Sequence, residues 1–148
     1  MEPRTTVLPA RLDALRQLRD FAEAFCDESG LSRDFFNRLN LVVEELFTNT
    51  VHHGHGKDCD APVWVALSRC GSTVWIGMED TAPAYNPFER PVPPEPPAES
   101  RRIGGYGVQL TRAMTSSAEY AYVFGRNRLR LSMQVGPNND ALRGDSAP

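Results

Sequence analysis

A carboxylate and an amide stand four residues apart near the middle of the chain, at Glu45 and Asn49. The apolar spacing around them predicts a helix, and residues at positions i and i+4 of a helix point to the same side. The carboxylate can then act as a general base. The amide oxygen is a hard ligand of the kind that Mg²⁺ accepts. A solvated polar stripe is the common alternative for such a pair, so its meaning depends on the rest of the chain.

A second candidate, Asp80, stands at the end of a predicted strand and before a turn-forming stretch, residues 81–87. A carboxylate at the end of a strand can accept a hydrogen bond from an exocyclic amine. Aspartate also commonly begins a turn for purely structural reasons. Asp80 therefore indicates a function only in combination with other candidate residues.

A third candidate is the glycine-rich run Gly-Gly-Tyr-Gly at residues 104–107, directly before a predicted helix. Glycine lets backbone N–H groups approach a phosphate closely, and a helix N-terminus favours negative charge. The run alone would equally suit a flexible hinge.

Composition limits the classes of function. The chain has 148 residues, a net charge of −3 and 41% hydrophobic residues, which fits one globular domain. The charge gives no reason to expect a nucleic-acid or membrane partner, and no apolar run approaches the roughly 20 residues of a membrane span. Three cysteines without CxxC spacing predict free thiols. We therefore expect a cytoplasmic protein.

The hydrophobic pattern predicts an edge strand, two helices, a β-hairpin, a long proline-rich stretch, a third helix and a second hairpin. Their approximate ranges are 5–8, 10–28, 32–53, 63–78, 81–102, 108–114 and 120–135. Hairpins covered by helices on one face predict an α+β fold, a two-layer α/β sandwich with a mixed, mostly antiparallel sheet. Residues 1–136 would form the domain, and the polar residues 137–148 a disordered tail.

Taken in this order, the three segments resemble the N, G1 and G2 boxes of the GHKL superfamily of ATPases and kinases, which shares the Bergerat fold. Residues 45–54 look like its Glu-Ala-x-x-Asn-Ala-x-x-His-Gly, residues 80–88 like Asp-x-Gly-x-x-Phe-Asp-Pro, and residues 105–108 like Gly-x-Gly-Leu. The resemblance spans about residues 5–135. Within the superfamily it is nearest to the anti-sigma factor serine/threonine kinases of bacterial partner-switching systems.

The resemblance implies ATP and Mg²⁺ as cofactors, with Asn49 as the magnesium ligand. Glu45 would orient or deprotonate the attacking hydroxyl group, and Asp80 would accept a hydrogen bond from the adenine amino group. Residues from about 87 to 102 would form a lid over the nucleotide. The remaining nucleotide contacts that the resemblance implies are His53, Ala82, Pro87, Arg101, Arg102, Gly104, Gly105, Tyr106, Gly107, Val108 and Asn127.

Two positions depart from the pattern of the superfamily. Ala82 stands where a glycine is usual, beneath the expected adenine. Asn127 stands near the place where many relatives have a threonine that supports adenine binding. Both substitutions bear on how the site holds its base.

The resemblance also implies protein partners. The substrate would be a STAS-type anti-sigma factor antagonist, phosphorylated on serine or threonine, and the alternative partner a sigma factor or another regulator. A homodimer formed through the sheet is possible. Two other hypotheses stay open: a nucleotide-binding module that sequesters partners without phosphoryl transfer, and a detached histidine-kinase catalytic domain. The retained Glu45 favours the enzyme, and no helix pair with a phosphorylatable histidine precedes the domain.

Overall fold

The computed structural model describes residues 2–89 and 107–137. Its main elements are β1 (Arg4–Pro9), α1 (Leu15–Glu28), α2 (Arg33–Asn49), β2 (Pro62–Cys70), β3 (Thr73–Asp80), α3 (Gly107–Met114), β4 (Ser117–Val123) and β5 (Arg126–Gln134). Most of the predicted lid, the arginines at 101 and 102, residues 104–106 of the glycine run and most of the predicted tail lie outside the described residues.

The five described strands form one sheet in the order β1-β2-β3-β5-β4, and every pairing is antiparallel. Helices pack on one of its faces. The predicted α+β, two-layer architecture is therefore confirmed, and both predicted hairpins occur as β2–β3 and β4–β5. The predicted N-terminal edge strand is β1, which pairs with β2.

Alternation along the strands separates a buried face from an open one. Val63, Val65 and Leu67 of β2 are fully buried, whereas the residues between them are partly exposed. β3 and β5 repeat this period of two, as expected for strands with one face against a core. Helices α1 and α2 cover the apolar face, and their largest fully buried side chains are Leu18, Phe25, Phe35, Leu39, Leu46 and Phe47.

Helix α2 begins where the sequence predicts and ends differently. The hydroxyl of Ser32 caps it by accepting a hydrogen bond from the backbone N–H of Phe35 at 3.1 Å. The sequence predicts one helix to about His53, but the α-helix ends at Asn49 and residues Thr50–His55 form a π-helix. Gly56 ends this segment with a φ of 82°. Short π-helical segments occur frequently at functional sites.

Helix α1 also starts later than predicted. A 3-10 turn at Leu12–Ala14 precedes it, and the α-helix begins at Leu15 rather than Ala10. The backbone N–H of Leu12 donates to the Asp58 carboxylate at 2.8 Å, a contact 46 residues away in sequence. Helix periodicity cannot reveal such a long-range contact, so the predicted start of α1 is wrong by five residues.

The β4–β5 hairpin has an unusual turn. Phe124 and Gly125 both have positive φ angles, 52° and 75°. Such two-residue turns normally contain Asn-Gly or Asp-Gly, because bulky residues are strained at positive φ. The Phe124 side chain is 99% exposed, so no burial compensates this strain.

Replacing Phe124 with asparagine is expected to raise the free energy of unfolding by about 1 kcal/mol, because asparagine tolerates the left-handed conformation. Urea denaturation measures the change. Phe124→Ala is the matched control: it removes the ring but keeps a residue that is strained at positive φ, so it should leave stability nearly unchanged. Equal stabilisation by both variants would show that the exposed ring, rather than the backbone strain, destabilises the turn.

Candidate functional site

The last turn of α2 carries the predicted acid–amide pair. Glu45 is half-buried, and Asn49, the final residue of the α-helix, is only 4% exposed. The apolar stripe of α2 packs against the sheet, which fixes the direction of this turn. The helical spacing that the sequence predicts for Glu45 and Asn49 is therefore present, and the two side chains project from the same side of the helix.

The amide of Asn49 points to a ligand. Its Nδ2 is fully buried and has no hydrogen-bond partner in the described part of the chain. Leaving a buried donor unpaired costs about 1–3 kcal/mol, so such a group usually has a role that the protein alone does not fulfil. An amide that offers its oxygen to a metal and its N–H to a phosphate oxygen would meet both requirements. Asn49 thus fits the magnesium–phosphate role that the resemblance implies.

No group of three or more His, Cys, Asp or Glu side chains suited to a metal ion occurs in residues 2–89 and 107–137. A magnesium ion bound at Asn49 would take most of its other ligands from phosphate oxygens and water, which is common for this cation.

Asp80 lies at the end of β3 and is 5% exposed. Its Oδ1 accepts hydrogen bonds from the backbone N–H of Ala82 and from Asn127 Nδ2, both at 2.9 Å. Its Oδ2 accepts from the hydroxyl of Thr50 at 3.1 Å. A carboxylate oxygen can accept two hydrogen bonds. Oδ1 is therefore filled by the protein, whereas Oδ2 keeps one acceptor position that no residue of 2–89 or 107–137 fills and that suits an exocyclic amine.

Asn127 holds the loop after Asp80 in place. The register of β3 and β5 sets it directly opposite Asp80. Its Nδ2 also lies 3.0 Å from the carbonyl oxygen of Ala82 and 3.2 Å from that of Pro83. Its Oδ1 accepts from the backbone N–H of Tyr85 at 3.0 Å. A threonine hydroxyl has one proton and could not make this set of bonds, which explains physically why an amide occupies the position.

Ala82, the other departure from the pattern, is accommodated by a glycine. Its side chain is buried, and a Cβ built on Gly54 would lie 3.1 Å from the Ala82 methyl group. The methyl therefore packs against the backbone of the π-helix, where any larger residue at 54 would force a shift. Ala82 also donates its backbone N–H to Asp80.

Sequence reasoning missed three residues of the site, namely Thr50, Tyr85 and Tyr120. The hydroxyl of Tyr120 bonds to Asn127 Oδ1 at 2.5 Å, and burial is the main cause that raises its pKa. The ring of Tyr85 stacks on His53, with centroids 5.9 Å apart. Thr50 follows Asn49 directly, and this adjacency is the one feature of the sequence that could have indicated its place in the site. The tyrosine contacts depend on strand register, which the sequence does not reveal.

The loop after Asp80, residues 81–89, is called the site loop below, and its far end reaches α3. Pro87 is buried in a 3-10 turn, Pro87–Glu89, and Asn86 Oδ1 accepts from the backbone N–H of Phe88 at 2.9 Å. The guanidinium of Arg112, on α3, lies 5.8 Å from the centre of the Phe88 ring. Helix α3, Gly107–Met114, contains Gly107 and Val108 of the predicted nucleotide contacts.

A separate groove of about 850 Å³ lies on the open face of the sheet, away from the acid–amide pair, and includes Trp64, Trp75 and Gly77 in its lining. Asp80 and Asn127 are buried on the opposite, helix-covered face. The groove is therefore not part of the candidate site. Within the described ranges, no helix is both long enough and apolar enough to cross a membrane.

Comparison with known families matches residues 8–133 to the histidine kinase-like ATPase domain. The chain belongs to this family. The predicted GHKL relationship is thereby confirmed. A comparison with curated protein sequences finds no match.

A solved structure from Mycobacterium tuberculosis has the same fold as this ATPase domain. The RsbU and RsbW domains of Rv1364c from Mycobacterium tuberculosis align with a TM-score of 0.65 and 18% identity, over 91% of this chain and 33% of that one. The chain thus spans about a third of the length of that solved chain. The Acinetobacter baumannii histidine kinase AdeS aligns with a TM-score of 0.46 and 10% identity, over 92% of this chain and 70% of that one.

The hydrogen bonds of Asn127 predict a graded loss of stability. Asn127→Ala would leave Asp80 Oδ1 with one donor fewer and the loop groups unpaired, and should lower the free energy of unfolding by about 2–4 kcal/mol. Tyr120→Phe removes one hydrogen bond from the same amide and should cost about 1 kcal/mol. Urea denaturation of both variants measures this. A cost below 1 kcal/mol for Asn127→Ala would mean that the network does not hold the loop.

Proposed function

We propose that this domain binds ATP with Mg²⁺ and transfers the γ-phosphoryl group to a serine or threonine of a partner protein. One observation carries the proposal: a single peptide unit joins the two ends of the site. Asn49 has a buried amide nitrogen that finds no hydrogen-bond partner in residues 2–89 and 107–137, and the next residue, Thr50, bonds to the carboxylate of Asp80. A group for phosphate and metal and a group for a base amine are thus held in fixed relation.

Asp80 Oδ2 accepts a hydrogen bond from the adenine amino group. Asn49 provides an oxygen ligand to Mg²⁺, which when bound neutralises negative charge on the phosphates. The N-terminus of α3 offers backbone N–H groups and a partial positive charge to the phosphates. Further contacts are assigned by the resemblance to Arg101, Arg102 and the glycine run before α3.

Glu45 accepts the proton of the attacking hydroxyl group. The serine or threonine oxygen forms a bond to the γ-phosphorus, the bond between that phosphorus and the bridging oxygen breaks, and ADP leaves. Such a transfer demands chiefly positioning and charge neutralisation. The helix α2, capped at Ser32 and packed against the core, gives both Glu45 and Asn49 a rigid support.

The partner would be a STAS-type anti-sigma factor antagonist in a cytoplasmic partner-switching system, with a sigma factor or another regulator as the alternative partner. Support comes from the motif resemblance and from the fold shared with a protein that contains an RsbW domain. Phosphorylation adds about −1.5 to −2 charge to the substrate. Next to Glu44 and Glu45 this charge would favour release of the phosphorylated protein.

A second copy of the chain would pack on the open face of the sheet. Two tryptophans form its centre, with the Arg126 guanidinium 4.0 Å from the Trp64 ring and the Arg130 guanidinium 4.4 Å from the Trp75 ring. Val7 at the edge is 55% exposed. This face is separate from the nucleotide site, so dimerisation and catalysis can proceed together.

Two substitutions should distinguish ATP binding from phosphoryl transfer. Glu45→Ala is expected to retain ATP binding and to slow phosphoryl transfer by about 10²–10⁴-fold, since the base acts only as the hydroxyl attacks. Asn49→Ala should lose both, because it removes a metal ligand that is needed before the reaction. Calorimetry measures binding, and incubation with γ-labelled ATP and the antagonist protein of the native host measures transfer.

Glu44→Ala is the matched control for these variants. Glu44 is the neighbouring carboxylate on α2 and accepts from Asn40 Nδ2 at 3.0 Å, and it has no assigned part in the transfer step itself. In a single turnover, which does not depend on release of the phosphorylated partner, the Glu44→Ala variant should transfer phosphate at close to the wild-type rate. Transfer by Glu45→Ala at the wild-type rate would remove the base assignment. ATP binding without transfer in the wild-type protein would favour the module that only sequesters partners.

A further inference from the structure

Thr50 is a buried polar residue that the reaction itself does not require. It is 5% exposed and begins the π-helix directly after Asn49. Its hydroxyl oxygen lies 3.1 Å from Asp80 Oδ2 and 3.2 Å from the carbonyl oxygen of Leu46. The superfamily pattern given above has alanine at this place, so the hydroxyl is a feature of this chain rather than of the pattern.

The single hydroxyl proton of Thr50 belongs with Asp80. The Leu46 carbonyl already accepts a hydrogen bond from the backbone N–H of Thr50, whereas the hydroxyl has only one proton to donate. Hydrogen bonds to a charged acceptor are about twice as strong as those between neutral groups. The proton is therefore directed to the carboxylate.

Thr50 controls one particular oxygen of Asp80. Ala82 and Asn127 donate to Oδ1, and Thr50 is the only residue in the described ranges that donates to Oδ2. Oδ2 is also the oxygen with an acceptor position left over for a ligand. The three donors lie at the start of the π-helix, in the site loop and on β5. Together they therefore fix the carboxylate in one orientation.

We propose that Thr50 is a positioning residue that aims Asp80 Oδ2 at the exocyclic amine of the bound base, and so sets the preference for a 6-amino purine. The proposal rests on the proposed function, because it assumes that the site binds a nucleotide. Thr50 acts through Asp80 and need not touch the ligand. Its effect should therefore depend on whether the base has an amino group.

A purely structural role is the competing explanation. The Thr50 methyl carbon lies 4.0 Å from the position of a Cβ on Gly54, so the side chain also fills space. Valine has the same shape and lacks the hydroxyl, whereas serine keeps the hydroxyl and lacks the methyl group. The two substitutions therefore separate hydrogen bonding from packing.

Calorimetric titration with Mg-ATP and with the triphosphate of purine riboside, which has hydrogen in place of the amino group, tests the proposal. Thr50→Val should weaken ATP binding about tenfold and leave the affinity for the purine analogue within about twofold, so that discrimination between the two ligands falls. Thr50→Ser should bind ATP within about threefold of the wild type.

Comparison of Thr50→Ser with Thr50→Ala gives a second measurement if the valine variant does not fold. These two variants both lack the methyl group and differ only in the hydroxyl, so alanine should show the tenfold loss for ATP alone. Unchanged ATP affinity in Thr50→Val and Thr50→Ala, or an equal loss for both ligands, would overturn the proposal. Failure of the wild-type protein to bind either nucleotide would instead overturn the proposed function.

Discussion

The buried carboxylate of Asp80 is the constraint on which the site depends. A charged group at 5% exposure is costly unless it is well bonded, and here donors from three different segments converge on it. The same bonds join the end of α2, the loop after β3 and the strand β5. Satisfying one carboxylate therefore also sets the positions of Asn49, at the end of that helix, and of the loop that reaches α3. The structural and ligand-binding demands on the site are met by the same hydrogen bonds.

Helix α2 combines two roles along its length. Its apolar side is buried against the sheet, and its last turn carries Glu45 and Asn49. Thr50 keeps α-helical backbone angles, and its N–H still donates to the Leu46 carbonyl, so the course of α2 itself brings Thr50 to Asp80. The π-helix that follows leaves Gly54 beside the Ala82 methyl group, and a regular α-helix to His53 would place Gly54 differently. The deviation thus lies where the site is built, while the buried part of the helix remains regular.

Sequence reasoning predicted the architecture because periodicity and turn residues are local signals. The architecture follows from the strand alternation around Val63 and Ile76 and from the helix cap at Ser32. It also predicted Glu45 and Asn49 on one helix. It did not predict the bond from Thr50 to Asp80, because that bond depends on how α2 lies over the sheet. Nor did it predict the bond from Tyr120 to Asn127, which depends on the pairing of β4 with β5. Nor did it show that Ala82 packs against Gly54, since that contact joins residues 28 positions apart. Contacts fixed by register and packing have no local signal in the sequence.

The central claim is that Asp80 receives an adenine amino group while Asn49 holds the metal and phosphates. Calorimetric titration of the wild-type protein with ATP, in the presence and absence of Mg²⁺, and of Asp80→Asn with Mg-ATP tests this most directly. The account predicts saturable binding that requires Mg²⁺ and is lost or greatly weakened in Asp80→Asn, which forfeits a charge-assisted hydrogen bond of about 1.5–3 kcal/mol. Absence of any binding heat with the folded wild-type protein and Mg-ATP, or equal affinity in Asp80→Asn, would contradict it.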